Sequence, residues 1–175
     1  IAKEQILCGN CGLSEKTFTE IADNAPLFAG VSIFFQKMEQ LGAKICLITA
    51  TYEPIAARIA ERLKLRNPEI RATKVMTDEF GFVTRCMGQA MDGDEKRKAL
   101  LNICMKNKAA MPNVIGMADS PNDIPFMNEI RKGLGLCIWV SGSTIQKKNK
   151  NTLIFPEPNF SKIEKTLWRW IKCKP

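Results

Sequence analysis

The 175-residue sequence contains no histidine. This absence excludes a Ser-His-Asp triad, a Cys-His nucleophile pair and any zinc site that needs histidine ligands. A general acid or base in this chain must therefore be a carboxylate, a lysine, a tyrosine or a cysteine.

Long apolar runs are missing as well. No stretch approaches the roughly 20 apolar residues that cross a bilayer, and the first residues lack the basic and apolar regions of a signal peptide. The hydrophobic fraction of 45% is that of a globular protein. We expect one domain, or one domain with a small appendage, and no transmembrane segment. The oligomeric state is not indicated.

The cysteine pattern argues against a disulfide framework. Seven cysteines make an odd number, and Cys46, Cys104 and Cys137 fall inside apolar patterns typical of strands and helices. Such thiols are expected to be buried and reduced, which favours a cytoplasmic location. The segment "CGNCG" at 8–12 resembles half of a zinc knuckle, but the sequence has no second Cys-x-x-Cys to complete four ligands.

Positive charge is in excess. Lysine and arginine number 26 against 18 aspartates and glutamates, which gives a net charge of +8. This excess favours anionic partners. A phosphorylated small molecule, a nucleic acid and an anionic lipid surface all satisfy it, and none is singled out.

Apolar runs alternate with helical patterns along most of the chain. Short, nearly continuous apolar runs predict buried strands, and two further short strands are predicted around a turn at 80–81. The predicted helices are 14–25, 30–42, 53–65, 94–107, 125–133 and 160–172, and the strands are 43–50, the pair within 74–84, 113–118, 135–140 and 152–155. This alternation predicts a doubly wound α/β fold with a parallel sheet and helices on both faces.

Polar side chains follow the predicted strands, where ligands bind in such folds. Thr49 ends one strand and either binds an anion or caps the next helix. Asp119 follows another strand, with Asp123 four residues later. Their carboxylates suit Mg²⁺, but Asp123 equally suits a helix cap beside Pro125. Lys96 lies at the start of the predicted helix at 94–107. It either points into an anion-binding site or is an ordinary surface lysine.

Taken in this order, the segments resemble the haloacid dehalogenase (HAD) superfamily of phosphohydrolases, and within it the phosphoserine-phosphatase-like branch. "ICLITATYEP" is similar to the second motif of that family, and "DGDEKRKALL" to its third. The resemblance implies that Thr49 binds the transferring phosphoryl group, with Thr51 beside it. It also implies that Lys96, rather than Lys98, stabilises a phosphoaspartyl intermediate.

"GMADSPNDIPFM" resembles the fourth motif of the family. The resemblance implies that Asp119 ligates Mg²⁺, that Asn122 and Asp123 order the metal shell, and that Asp123 also orders Lys96. It places Ser120 among the substrate-binding residues. Ala118 stands where the family usually has glycine, a mild departure.

The first motif of the family, an apolar strand ending in Asp-x-Asp-x-Thr/Val, has no counterpart. Residues 1–13 contain no aspartate, and Asp92-Gly93-Asp94 is predicted to be the loop and cap of the Lys96 helix. Two explanations remain. The nucleophile segment precedes Ile1 in a longer product, which the absence of an initial methionine favours, or the chain has kept the fold and lost the chemistry.

We therefore expect residues 1–29 to be part of a helical cap and residues 30–175 to be an α/β core without its first strand. The complete protein is expected to be a Mg²⁺-dependent phosphomonoester hydrolase that acts through an aspartyl-phosphate, and the 175 residues alone to be inactive. The alternative is a catalytically inactive module that binds an anionic or protein partner through its basic surface.

Overall fold

A computed structural model describes residues 13–87, 91–140 and 150–172. The helices are α1 Glu15–Asn24, α2 Val31–Gln40, α3 Glu53–Arg62, α4 Gly93–Lys106, α5 Ile124–Lys132 and α6 Phe160–Lys172. The strands are β1 Cys46–Tyr52, β2 Glu69–Thr77, β3 Val83–Met87, β4 Ile115–Ala118, β5 Leu136–Val140 and β6 Thr152–Phe155. Short 3₁₀ helices, Met111–Asn113 and Pro121–Asp123, precede and follow β4.

The C-terminal sheet is parallel and has the order β4-β5-β6. Every residue of β5 is buried, and its side chains alternate between two hydrophobic clusters. Leu136, Ile138 and Val140 pack with residues of α2 and α6, whereas Cys137 and Trp139 pack with residues of α4 and α5. Helices therefore cover both faces of this sheet, as the apolar run predicted.

The N-terminal sheet has the order β1-β2-β3 and mixes two directions. The first half of β2 runs parallel to β1, with Cys46 opposite Glu69. Its second half runs antiparallel to β3, with Lys74 opposite Met87. The turn between β2 and β3 passes through Gly81, whose φ of 79° is readily available only to glycine.

The α/β fold with parallel strands and helices on both faces is confirmed, and three details differ from the predictions. The described strands form two three-stranded sheets rather than one. β1 begins and ends later than predicted, at Cys46 and Tyr52. β2 begins at Glu69, in a charged stretch to which the sequence analysis assigned no element, because pairing with β1 outweighs the low strand propensity of that sequence.

Helix α1 is attached to α3 by arginine side chains. The side chain of Arg62 donates hydrogen bonds to the carbonyl oxygens of Ala22 and Ala25 at the C-terminal end of α1. Arg58 pairs with Asp23 at 2.7 Å, which lowers the pKa of that carboxyl group. The division into a cap segment at 1–29 and a core at 30–175 stays a prediction, and residues 1–12 lie outside the described part.

The cysteines at positions 46, 86, 104 and 137 form no disulfide bond. Burial raises the pKa of Cys137 to about 11, so this thiol is neutral at physiological pH. Cys8 and Cys11, which form the knuckle-like segment, lie outside the described residues. No helix in the described ranges is both long and apolar enough to cross a membrane.

Replacing Ile138 by alanine is expected to lower the free energy of unfolding by about 2–5 kcal/mol, because the side chain is fully buried in the central strand. The matched control is Ile154→Ala in the adjacent strand, where the side chain is 38% exposed and the loss is expected to be smaller. Urea unfolding followed by circular dichroism measures both. Equal losses would contradict the assignment of β5 to the centre of the core.

Candidate active site

The turn that follows β4 is organised by Ser120. Its hydroxyl oxygen accepts a hydrogen bond from the backbone N–H of Asn122 at 3.3 Å, and its carbonyl oxygen accepts one from the N–H of Asp123 at 2.9 Å. Pro121 begins the 3₁₀ turn, where its fixed φ suits the geometry. The chain then enters α5 at Ile124, and the side chain of Asp123 is held at a defined place beside β4.

A buried ion pair joins this turn to α4. The Nζ atom of Lys96 donates to Oδ1 of Asp123 at 2.6 Å, and the two residues are only 8% and 5% exposed. Removing two charges from water is costly unless each has a partner. This contact links residues 27 positions apart, so it fixes α4 against the β4–α5 turn.

Of the two interpretations that the sequence left open for Asp123, helix capping by its side chain does not occur in the structure. Asp123 occupies the N-cap position of α5, but its side chain makes no capping hydrogen bond and instead accepts from Lys96. The capping hydrogen bond at this turn comes from Ser120. Local sequence favours aspartate as a cap, whereas a buried lysine nearby competes for the same carboxylate.

Gly93 makes the approach of α4 to the turn possible. A Cβ atom at this position would lie 2.6 Å from the carbonyl oxygen of Asn122 and 3.0 Å from Cγ of Pro125, closer than packed atoms come. The first turn of α4 therefore lies directly against the 122–125 segment. This contact places Lys96, one turn further along the helix, within reach of Asp123.

The other charged residues at the start of α4 point away from the pair. Asp92 caps the helix by accepting from the backbone N–H groups of Asp94 and Glu95, both at 3.0 Å, as predicted. Lys98 is exposed and pairs with Glu95 at 2.7 Å. This hydrogen bond raises the pKa of the lysine. Of the two lysines considered from the sequence, Lys96 is the one that faces the β4–α5 turn.

Thr49 and Thr51 lie in an irregular part of β1. The pairing of β1 with β2 shifts register between Ile48 and Tyr52. Within this bulge the backbone N–H of Thr51 donates to the hydroxyl oxygen of Thr49 at 3.2 Å. Both side chains are half-buried. The structure thus places the threonines in a turn-like break within the strand, where the prediction had the strand end.

The donor set for Mg²⁺ fits in kind but is incomplete. Asp119 and Asn122 are exposed at the carboxyl end of β4, and their oxygens are ligands that Mg²⁺ accepts. Oδ1 of Asp123 is occupied by Lys96. Across residues 13–87, 91–140 and 150–172, no three His, Cys, Asp or Glu side chains form a metal-binding group. A complete octahedral shell therefore requires oxygens from elsewhere.

The structure brings some of the predicted site residues into contact and leaves others apart. Lys96 and Asp123 form one unit with Ser120 and Asn122, since all belong to the pair or to the turn that holds it. The threonines belong to the other sheet. Sequence reasoning did not predict the packing role of Gly93, because the backbone that it packs against, at Asn122, lies far along the chain.

The chain is similar in sequence and in structure to known phosphatases and hydrolases. The chain is 25% identical over 126 residues to a phosphoserine phosphatase of Lactococcus lactis, a match that covers 72% of this chain and 57% of the relative. A probable phosphoserine phosphatase from Vibrio cholerae has a similar structure, with a TM-score of 0.73 and 12% identity over 93% of this chain and 49% of that one. A HAD-family hydrolase from Salmonella enterica has a TM-score of 0.63 at 18% identity, over 73% and 42% of the two chains.

The chain is thus similar in sequence to phosphoserine phosphatases and similar in fold to a HAD-family hydrolase. No protein-family model matches it. The structural likeness, at identities of 12% and 18%, shows the fold. The chain spans about half the length of the curated relatives it matches, 57% and 51% for two of them.

Replacing Lys96 by methionine is expected to lower the free energy of unfolding by about 3–5 kcal/mol, because the Asp123 carboxylate is left buried without a partner. Lys98→Met, which removes an exposed pair, is expected to cost at most about 1 kcal/mol. The double variant Lys96→Met/Asp123→Leu should recover part of the loss. Urea unfolding measures all three, and equal losses for the two lysine variants would contradict the buried pair.

Replacing Gly93 by alanine is expected to destabilise the protein by about 1–3 kcal/mol, since the added Cβ meets backbone that must move. Helix propensity alone predicts the opposite sign, by up to about 1 kcal/mol. The matched control compares alanine with glycine at Asn102, an exposed position in the same helix, where alanine should be the more stable. A gain of stability at Gly93 would show that α4 does not pack closely on the turn.

Proposed function

We propose that the complete protein hydrolyses phosphomonoesters through an aspartyl-phosphate intermediate, and that the attacking aspartate belongs to polypeptide outside these 175 residues. The observation that carries the proposal is the buried Lys96–Asp123 pair, which holds a cation beside the carboxyl end of β4. The similarity to phosphoserine phosphatases supports the same reaction class.

In the proposed reaction, a carboxylate oxygen of the external aspartate forms a bond to phosphorus and the ester P–O bond breaks, and the leaving oxygen takes a proton from solvent to become the alcohol. Water then attacks phosphorus, returns a proton to solvent and releases phosphate and the carboxylate. Asp123 orients Lys96 with one hydrogen bond, and the remaining N–H groups of the ammonium neutralise charge on the phosphoryl oxygens. The Thr49 hydroxyl and the backbone of the β1 bulge bind those oxygens.

Mg²⁺ is part of the proposal, and when bound it neutralises phosphoryl charge and orients the ester. Asp119 and Asn122 would hold it, together with oxygens from outside the chain.

The proposed substrate is a phosphorylated small molecule that contacts Ser120 and Thr51, with O-phosphoserine the first to test because the matched relatives are named phosphoserine phosphatases. A cytoplasmic location is also proposed, supported by the free thiols.

The 175-residue chain is expected to release no phosphate from O-phosphoserine or a panel of other phosphomonoesters, whereas a longer product with an apolar strand ending in Asp-x-Asp should do so in the presence of Mg²⁺. In the longer product, Lys96→Met should lower kcat by about 10²–10³-fold, because a positioned cation is lost. Lys98→Met should leave kcat unchanged. Phosphate release measures each rate.

Two outcomes would contradict the proposal. One is a folded longer product that binds but does not hydrolyse phosphomonoesters, which would support the binding module instead. The other is Mg²⁺-dependent turnover by the 175-residue chain that Asp119→Asn abolishes, which would place the whole reaction within these residues.

A further inference from the structure

The irregular part of β1 contains more residues than the stretch of β2 that it pairs with. Ile48 lies opposite Arg71 and Tyr52 lies opposite Thr73, so β1 advances four residues where β2 advances two. The surplus forms the β1 bulge, residues 49–51. A bulge re-aims the groups of its strand and disrupts the ladder locally. The β1 bulge therefore needs contacts outside the regular ladder to hold its shape.

One peptide group of the β1 bulge is held at both ends. It consists of the carbonyl group of Ala50 and the N–H group of Thr51. The hydroxyl of Thr73 donates to the Ala50 carbonyl oxygen at 3.0 Å, and the N–H of Thr51 donates to the hydroxyl oxygen of Thr49 at 3.2 Å. Because a trans peptide group is planar and its C=O and N–H point in opposite directions, a hydrogen bond at one end fixes the direction of the other.

These contacts form a chain of hydrogen bonds that leads to the hydroxyl of Thr49. A hydroxyl group has one proton to donate and two lone pairs that accept. The Thr49 oxygen accepts from Thr51, which leaves the hydroxyl proton to donate to another group. Hydrogen bonds in a chain polarise one another, so the bond from Thr73 makes Thr49 a stronger donor.

Thr73 stands at the start of this chain of hydrogen bonds, in a strand that supplies none of the candidate site residues considered above. It lies within β2, and its hydroxyl proton is used on the Ala50 carbonyl oxygen. Its effect on a bound anion is therefore exerted through the 50–51 peptide group and the Thr49 hydroxyl.

We propose that Thr73 is a positioning residue of the candidate site. It sets the orientation of the 50–51 peptide group, and through that group it sets the direction in which Thr49 donates to a phosphoryl oxygen. This role rests on the proposed function, since Thr49 is taken to bind that oxygen. It concerns the binding of the phosphoryl group and not its hydrolysis, so the two can fail separately.

The variant Thr73→Val removes the hydroxyl and keeps a β-branched side chain suited to a strand. Its matched control is Thr84→Val in β3. The Thr84 hydroxyl also donates to a carbonyl oxygen of the neighbouring strand, that of Met76 at 3.2 Å, which is not part of the β1 bulge. Each variant loses one hydrogen bond of the same kind, so urea unfolding should show similar losses of stability.

Phosphate binding is the main measurement. Inorganic phosphate is titrated into the 175-residue chain and into a longer product that carries the Asp-x-Asp strand, and the backbone amide signals of Thr49 and Thr51 are followed by NMR. Thr73→Val should raise the dissociation constant for phosphate by about fivefold, the factor that one lost hydrogen bond gives. Without phosphate it should also shift the Thr51 signal, because that N–H loses its fixed direction. Thr84→Val should do neither.

Thr73→Ser separates positioning from a structural role. Serine keeps the hydroxyl but lacks the β-branched shape that favours strands, whereas valine has that shape and no hydroxyl. If Thr73 orients the peptide group, the serine variant should return the dissociation constant for phosphate to near that of the unchanged protein. If Thr73 serves only as a strand residue, valine should be the better replacement, which would contradict the proposal.

Three further results would overturn the proposal. An unchanged dissociation constant in Thr73→Val would show that Thr73 does not direct phosphate binding, even if the Thr51 signal moves. Equal effects of the Thr73 and Thr84 variants on phosphate binding would show a general weakening of the sheet. An absence of any phosphate effect on the Thr49 and Thr51 signals in both proteins would show that the β1 bulge binds no phosphoryl group.

Failure of the proposed function would give a different result. A longer product that binds phosphate with the expected differences between variants, but hydrolyses no phosphomonoester, would contradict the phosphatase reaction and still support the role of Thr73.

Discussion

The buried contact between Lys96 and Asp123 is the constraint on which the candidate site depends. It holds the first turns of α4 against the segment that connects β4 to α5, and it requires that Gly93 lack a side chain. Two charges buried together are stable only in a narrow geometry, because the desolvation of each must be offset by the other. The position of the lysine ammonium at the end of β4 is thus set by packing as well as by charge.

The other groups of the candidate site are positioned by the end of β4 and by the irregular part of β1. β4 stops at Ala118 and delivers Asp119 to the surface, while Ser120 closes the turn. β1 breaks its register near Thr49 and turns the backbone there. In α/β folds such irregular ends collect ligand-binding groups. The described residues supply a cation, a carboxylate and hydroxyl groups, which is part of the chemistry that phosphoryl transfer needs.

The sequence predicted those features that depend on local pattern. The apolar run of β5 appears where it was expected, and Asp92 caps α4. It did not predict features that depend on distant partners. The charged start of β2 at Glu69 is a strand because β1 pairs with it, and the Asp123 side chain leaves its capping position because Lys96 lies beside it. Gly93 reads locally as a loop residue, whereas its packing involves Asn122, 29 positions away.

Among the residues that the structure describes, the strands of one sheet come from 46–87 and those of the other from 115–155, with no strand exchanged between the sheets. Loop-closure entropy grows with the length of chain that must be closed, so each half can form its pairings without waiting for the other. Strand exchange between halves would have made the pairings mutually dependent. In this arrangement each sheet can assemble early and separately, which makes the packing of the two halves against each other an event distinct from the folding of either half.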